Sequence, residues 1–215
     1  MGTCAGTWPE NIWGPRQQGA GAELQIEETA IPGVLILTPA RHSDGRGFFC
    51  ETWNARRLGE AGITLDFVQD NQSLSHVPDT VRGLHYQAPP HAQAKLVRCG
   101  RGALFDVAVD ARRGSPAWGQ WVGVDLTPED GRQLLIPAGC LHGFATRAPD
   151  TEILYKCSDF YAPDCDGTVR WDSCGIDWGL GGAPVLSEKD AAAPPWAEFD
   201  SPFTWPFTRE GTPCA

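Results

Sequence analysis

A chain of 215 residues with a formal net charge of −10 is sized for one jelly-roll or barrel domain, and it can bury roughly 70% of its unfolded surface, enough to fold without disulfides or metal. The acidic balance argues against nucleic acid or an anionic membrane as partner, since both need a basic footprint, and no run approaches the ~20 apolar residues that span a bilayer. A nucleotide ligand stays open, provided the few arginines and lysines gather locally.

In chain order, residues 1–23 are rich in Gly, Pro and Gln and lack any period, which predicts a flexible extension. The stretch GVLILTP after Pro32 and the stretch from Gly47 to Trp53 read as strands. Asn54 is a plausible N-cap for one short helix, ARRLGEAG, ending near Gly62. Strand signals then recur in TVRGLHYQ, AKLVRC, ALFDVAVD, GQWVGVDL, RQLLIP, HGFATRA and TEILYKCSDFYAP. Strands of this length, bounded by Gly, Pro, Asp and Asn, predict an antiparallel sandwich or barrel. Long helices that could cross between parallel strands are missing. A short helical stretch opens near Asp190, and the tail over 200–215 is Pro-interrupted, its tryptophan and phenylalanines being free to dock or not. The main domain is therefore expected over 24–199.

The eight cysteines are scattered, none in a C-x-x-C pair. The N-terminus has no basic segment followed by an apolar one, and Gly6 stands where a myristoylation signal needs Ser or Thr. The expectation is reduced thiols in a cytoplasmic protein.

Several residues could carry chemistry. His85, in Arg82-Gly83-Leu84-His85-Tyr86-Gln87, reads either as a core histidine satisfied by backbone or as a base on a barrel wall. Strict alternation places Arg82 and His85 on opposite faces, and a bulge at Gly83 would bring both toward one cavity. Metal-binding cupin barrels present a His-x-His pair, whereas this segment reads His85-Tyr86-Gln87 with His142 the other strand-like histidine. Two imidazoles without an obvious third ligand make a poor transition-metal site, so no metal is expected. Tyr155 is an amphipathic core residue or a proton donor. Lys189 and Asp190 form a solvated helix start or belong to a site, and Lys95, Arg46 and Arg82 are equally ambiguous one at a time.

Their order is not ambiguous. From Ile31 to about Pro194 the chain resembles the dTDP-4-dehydrorhamnose 3,5-epimerase family, through RGFFCETWN, FVQDNQSLS, VRGLHYQ, AQAKLVRC, GALFDVAVDARRGSPAWGQWVGVDL, RQLLIPAGCLHGF, EILYKCSDFYAP and LSEKDAAAP. The resemblance implies a mainly β, cupin-type antiparallel jelly roll with a few short helices. It also implies a homodimer that exchanges a strand, and a dTDP-linked 4-keto-6-deoxy sugar as substrate. At matching positions His85 would be the base, Asp190 its carboxylate partner, Tyr155 the acid on the other face of the sugar, and Lys95 the cation near the C4 oxygen. Arg46, Glu51, Gln69, Asn71, Arg82, His142 and Lys189 would hold substrate. Asp166 stands where some relatives have glutamate, and His42 where an aromatic ring is common. No cofactor is implied, because a proton beside a ketone can leave once the enolate is stabilised electrostatically. An epimerase acting at C3 or C5 alone shares most of these residues, whereas a cupin that binds without turnover has no reason to keep a tyrosine opposite a histidine.

Overall fold

The computed structural model describes residues 23–206. In chain order the elements are β1 (Gln25–Glu28), β2 (Leu35–Thr38), β3 (Arg41–Asp44), β4 (Gly47–Cys50), α1 (Ala55–Glu60), β5 (Gln69–Ser75), β6 (Val81–Gln87) and β7 (Lys95–Arg101). They continue with β8 (Leu104–Asp110), β9 (Arg112–Arg113), β10 (Trp121–Leu126), β11 (Gln133–Ile136), β12 (Cys140–Thr146), β13 (Thr151–Cys157), β14 (Asp166–Thr168), α2 (Glu188–Ala191) and β15 (Phe203–Thr204). Two sheets carry the fold: six strands in the order β1-β2-β11-β7-β13-β5, and five in the order β10-β8-β12-β6-β14. Every neighbouring pair within them is antiparallel. This is the layered, mainly β arrangement of the expected jelly roll, with two short α-helices among the described residues.

Apolar side chains on alternate positions meet between the sheets, where Val97, Leu104, Ala108, Phe144 and Ile153 form one cluster. Outside the six-stranded sheet, Leu58 of α1 packs with Leu37, Leu96 and Leu135. Asn54 caps α1 as expected, its side chain accepting from the Arg56 and Arg57 amides. The outer face of the five-stranded sheet is covered by the C-terminal segment, which lays Trp171, Trp178, Leu186, Trp196 and Phe203 over Val81, Leu84, Val107 and Leu141. Central strand β12 is consequently buried on both faces, which is why its sequence shows no polar alternation. The aromatic tail docks through β15, which pairs parallel to β9, and Trp205 lies 4.5 Å from the Arg112 guanidinium. The flexible extension expected over 1–23 falls almost wholly outside the described residues, as does the tail beyond Pro206.

One irregularity positions the site. The register of β12 on β6 runs His142↔His85 and then jumps to Phe144↔Arg82, so Gly83 and Leu84 together face Gly143. Gly83 has φ +119°, and a Cβ there would stand 2.7 Å from both the Gly143 Cα and the His142 carbonyl. Only glycine fits this bulge, and the extra residue turns Arg82 and His85 to the same side.

Candidate active site

Arg82 and His85 line one cavity of about 340 Å³ together with Thr80, Leu186, Ser187, Lys189 and Asp190. His85 Nε2 lies 2.6 Å from Asp190 Oδ1 across 105 residues of sequence. The ring is about one-third exposed and the carboxylate almost sealed. The α2 N-cap explains how so short a helix aims Asp190: the Ser187 hydroxyl accepts from the Asp190 amide at 3.1 Å. Burial pushes the Asp190 carboxyl up, but the His85 ring, the Ser187 hydroxyl and the Gly83 N–H outweigh it and hold the group below its ordinary value. Asp190 therefore stays ionised behind the imidazole. The bulge glycine serves twice, setting the strand register and donating to this carboxylate.

His142 stands directly opposite His85 on the paired strand, so both rings point to the same sheet face. Its Nε2 lies 2.7 Å from Asp106 Oδ1, and both side chains are buried. Burial pulls His142 below its ordinary pKa. Asp106 opposes this, whereas nearby Lys95 and His85 reinforce it. From the facing sheet, the Tyr155 ring comes within 6.5 Å of His142, packed against the cluster between the sheets. Tyr155 and His85 thus face one interior from opposing sheets. Burial raises the Tyr155 phenol, Cys157 acts the same way, and the Asn71 side chain and Arg82 oppose. The net effect keeps its proton in place at neutral pH.

Lys95 reaches the same interior from β7, with Nζ 6.0 Å from the Tyr155 ring. Burial pulls its pKa down, while Cys157, Asp106 and Asp166 push it back up. Gln69 donates to Asn71 at 3.1 Å, and Asn71 donates to the Cys157 sulfur at 3.6 Å, so the polar strand β5 lines Tyr155's side. Lys189 is ion-paired with Asp166. The Arg82 guanidinium donates to Ser75 and to the Leu74 carbonyl.

Arg46 and Glu51 do not join this group. Arg46 lies beyond β3 in the β3–β4 hairpin, its side chain 91% exposed and, among the described residues, ion-paired with Asp44 alone at 2.6 Å. Glu51 faces Asn54 and Arg57, and with His42 it lines a separate pocket beside α1. Two groups of the interior escape the sequence reading, Asp106 and Cys157. The alternation in Leu104-Phe105-Asp106-Val107-Ala108 does carry a signal for the first, since it puts a carboxylate on an otherwise apolar inward face. Nothing in the sequence pattern marks Cys157.

Comparison with known proteins places the chain in a family. The family model for dTDP-4-dehydrorhamnose 3,5-epimerase matches residues 28–198. The chain is 50% identical over 172 residues to the dTDP-4-dehydrorhamnose 3,5-epimerase of Salmonella typhimurium, spanning 79% of this chain and 93% of that one. The crystal structure of the Legionella pneumophila dTDP-6-deoxy-D-glucose-3,5-epimerase, in complex with dTDP-4-keto-L-rhamnose, matches with a TM-score of 0.79 at 44% identity, covering 83% of this chain and 95% of that one. The Bacillus anthracis epimerase, with TDP and PPi bound, gives 0.78 at 41% identity over 80% and 99%. Likeness of this depth runs through all the strands that build the cavity, and the chain belongs to the dTDP-4-dehydrorhamnose 3,5-epimerase family.

Proposed function

We propose that this isomerase inverts C3 and C5 of dTDP-4-dehydro-6-deoxy-D-glucose, giving dTDP-4-dehydro-L-rhamnose. The observation that carries the reading is the Asp190-backed imidazole of His85 on one sheet with the phenol of Tyr155 on the other, both facing one interior. With Nε2 committed to Asp190, the His85 Nδ1 is the free base. It takes the C3 proton, and the electron pair moves into the C3–C4 bond and onto the ketone oxygen. Lys95 meets the charge that develops there, in a site where burial strengthens the attraction. Asp190 stabilises the imidazolium and holds the ring orientation. Tyr155 then delivers its proton to C3 from the opposite face, because return from His85 would restore the original centre. Solvent resets both groups, and the same sequence inverts C5.

Arg82 and Lys189 line the cavity and, with Gln69, Asn71, His142 and Asp166, would hold the sugar and diphosphate. Arg46 and Glu51 would reach a His85 cavity only in an assembly. The reading is a homodimer in which the β3–β4 hairpin, paired apart from both main sheets, joins a second copy and delivers these residues to its partner's site. A cytoplasmic setting fits the free thiols of all six described cysteines.

The test is turnover of dTDP-4-dehydro-6-deoxyglucose in heavy water, followed by NMR. Deuterium at both C3 and C5 is expected, and label at one carbon alone would reduce the activity to single-centre epimerisation. His85→Ala should lose turnover almost completely, and Tyr155→Phe should lose about 10²–10⁴-fold, with the fold intact by circular dichroism. Undiminished turnover in the His85 variant would overturn the proposal.

A further inference from the structure

We infer that Asp106 is a positioning residue of this reaction, a sealed carboxylate that fixes the His142 ring and supplies the negative charge opposite Lys95. The inference rests on the reading of the site given above. Asp106 is fully buried on the inward face of β8, where its neighbours two residues away, Leu104 and Ala108, are apolar members of the core between the sheets. One carboxylate oxygen, Oδ1, meets His142 Nε2 at 2.7 Å. The other, Oδ2, is buried with no hydrogen-bond partner among the described residues. A carboxyl group sealed in an apolar layer with one oxygen unpartnered is costly. A core selected for stability alone would continue Leu104 and Ala108 with a third apolar side chain.

What surrounds the carboxylate indicates its task. His142 faces Asp106, Lys95, His85 and Tyr155. Lys95 faces Asp106 from β8, Cys157 and Tyr155 from β13, and Asp166 from β14. Two basic groups therefore share one interior anion, and one of them must carry the charge. Burial, reinforced by the neighbouring Lys95 and His85, disfavours the imidazolium form of His142. With its Nε2–H donated to Asp106, the neutral ring presents the Nδ1 lone pair to a substrate hydroxyl. Asp106 meanwhile opposes the desolvation that would neutralise Lys95, so the cation stands where enolate charge develops and the imidazole remains a neutral acceptor.

Two near-isosteric variants separate the two tasks. Asp106→Asn removes the charge and keeps an acceptor for His142; Asp106→Leu removes both. In Asp106→Asn the alkaline limb of the kcat–pH profile should move to lower pH by about one unit, because Lys95 loses its counter-charge. Its kcat should fall by about 10²-fold with KM nearly unchanged. Asp106→Leu should lose more, and its His142 ¹⁵N resonances should leave the Nε2–H tautomer that the wild type and Asp106→Asn display. Neither variant should melt below the wild type. An Asp106→Asn enzyme with wild-type kcat and pH limbs would overturn the inference. So would lost activity that tracks a lowered melting temperature with the pH profile unmoved. The ¹⁵N spectrum is read without substrate, so a wild type that shows the Nε2–H tautomer yet turns over no dTDP sugar would sink the functional reading and leave the role of Asp106 toward His142 standing. A wild-type His142 in the other tautomer would sink that role.

Discussion

Lys95 is the residue at which stability and chemistry pull apart. Burial lowers its pKa from the ordinary 10.5, which means that the folded state holds the ammonium at a disadvantage relative to the unfolded chain. The penalty is present in full below the folded pKa, where both states are protonated. It fades as pH rises from there toward 10.5, because the unfolded chain then binds more protons than the folded one. Lys95→Met should accordingly raise the melting temperature at neutral pH by about 2–4 °C, the shift that ~1 kcal/mol produces in a chain of this size. The gain should shrink at strongly alkaline pH, and turnover should fall by about 10²–10³-fold. Scanning calorimetry across pH, beside the exchange assay, checks both; a melting temperature that drops at pH 7 would contradict the burial argument. The individual side chains of the site were legible only through their joint resemblance to a family. Taken singly, His85 and Tyr155 read as well as satisfied core residues. For Asp106 the alternation with Leu104 and Ala108 carries a signal, but its partner His142 lies 36 residues away and is found only through the pairing of β12 with β8.

At the scale of elements, the β6–β12 bulge governs the site more than any regular strand does. Gly83→Ala would force a Cβ to within 2.7 Å of the backbone of β12 in a conformation that side chains rarely adopt. Relief requires the strands to part or the register to slip. We expect a loss of about 2 kcal/mol or more, read as a lower urea midpoint. Turnover should fall beyond what the lost stability explains, since the Asp190 carboxylate loses its Gly83 donor and His85 its register. A Gly83→Ala enzyme with full activity would show that the bulge has no part in aiming the base. The strands β6 to β8 and β10 to β13 were legible because their apolar runs are bounded by Gly, Pro and Asp. The polar strand β5, QDNQSLS, was not read as a strand from its composition. It lies at an edge of its sheet, exposes alternate residues and faces a polar site, so neither of its faces needs the β-branched and aromatic residues that announce a strand. The start of α2 was placed near Asp190, whereas the Ser187 cap begins it at Glu188.

At the scale of the whole molecule, the β3–β4 hairpin stands apart from both main sheets. Phe48 and Phe49 are 59% and 64% exposed, and Arg46 contacts nothing in the cavity. If the hairpin serves a second copy, two individually inactive variants should rescue each other. Mixing Arg46→Ala with His85→Ala after unfolding and refolding together should restore about a quarter of wild-type activity, because half the random dimers hold one complete site of two. Sedimentation equilibrium should give a dimer for both parents. Absence of any recovery in a confirmed mixed dimer would place Arg46 in its own subunit's site or in none. The C-terminal segment acts at this scale too, since Phe203 joins Trp171, Trp178, Leu186 and Trp196 in covering the outer face of β6, β8 and β12.

By itself the sequence determined the β class, the positions of the central strands and the α1 cap, because these follow from local periodicity and turn chemistry; the set of side chains able to move a proton came from the resemblance to a family. Tertiary structure alone decided which groups meet. His85 and Asp190 are 105 residues apart yet 2.6 Å apart in space, and His142 finds Asp106 only through the pairing of β12 with β8. Such contacts depend on sheet order and register, which arise from long-range packing of the whole core, and no local pattern of residues encodes them.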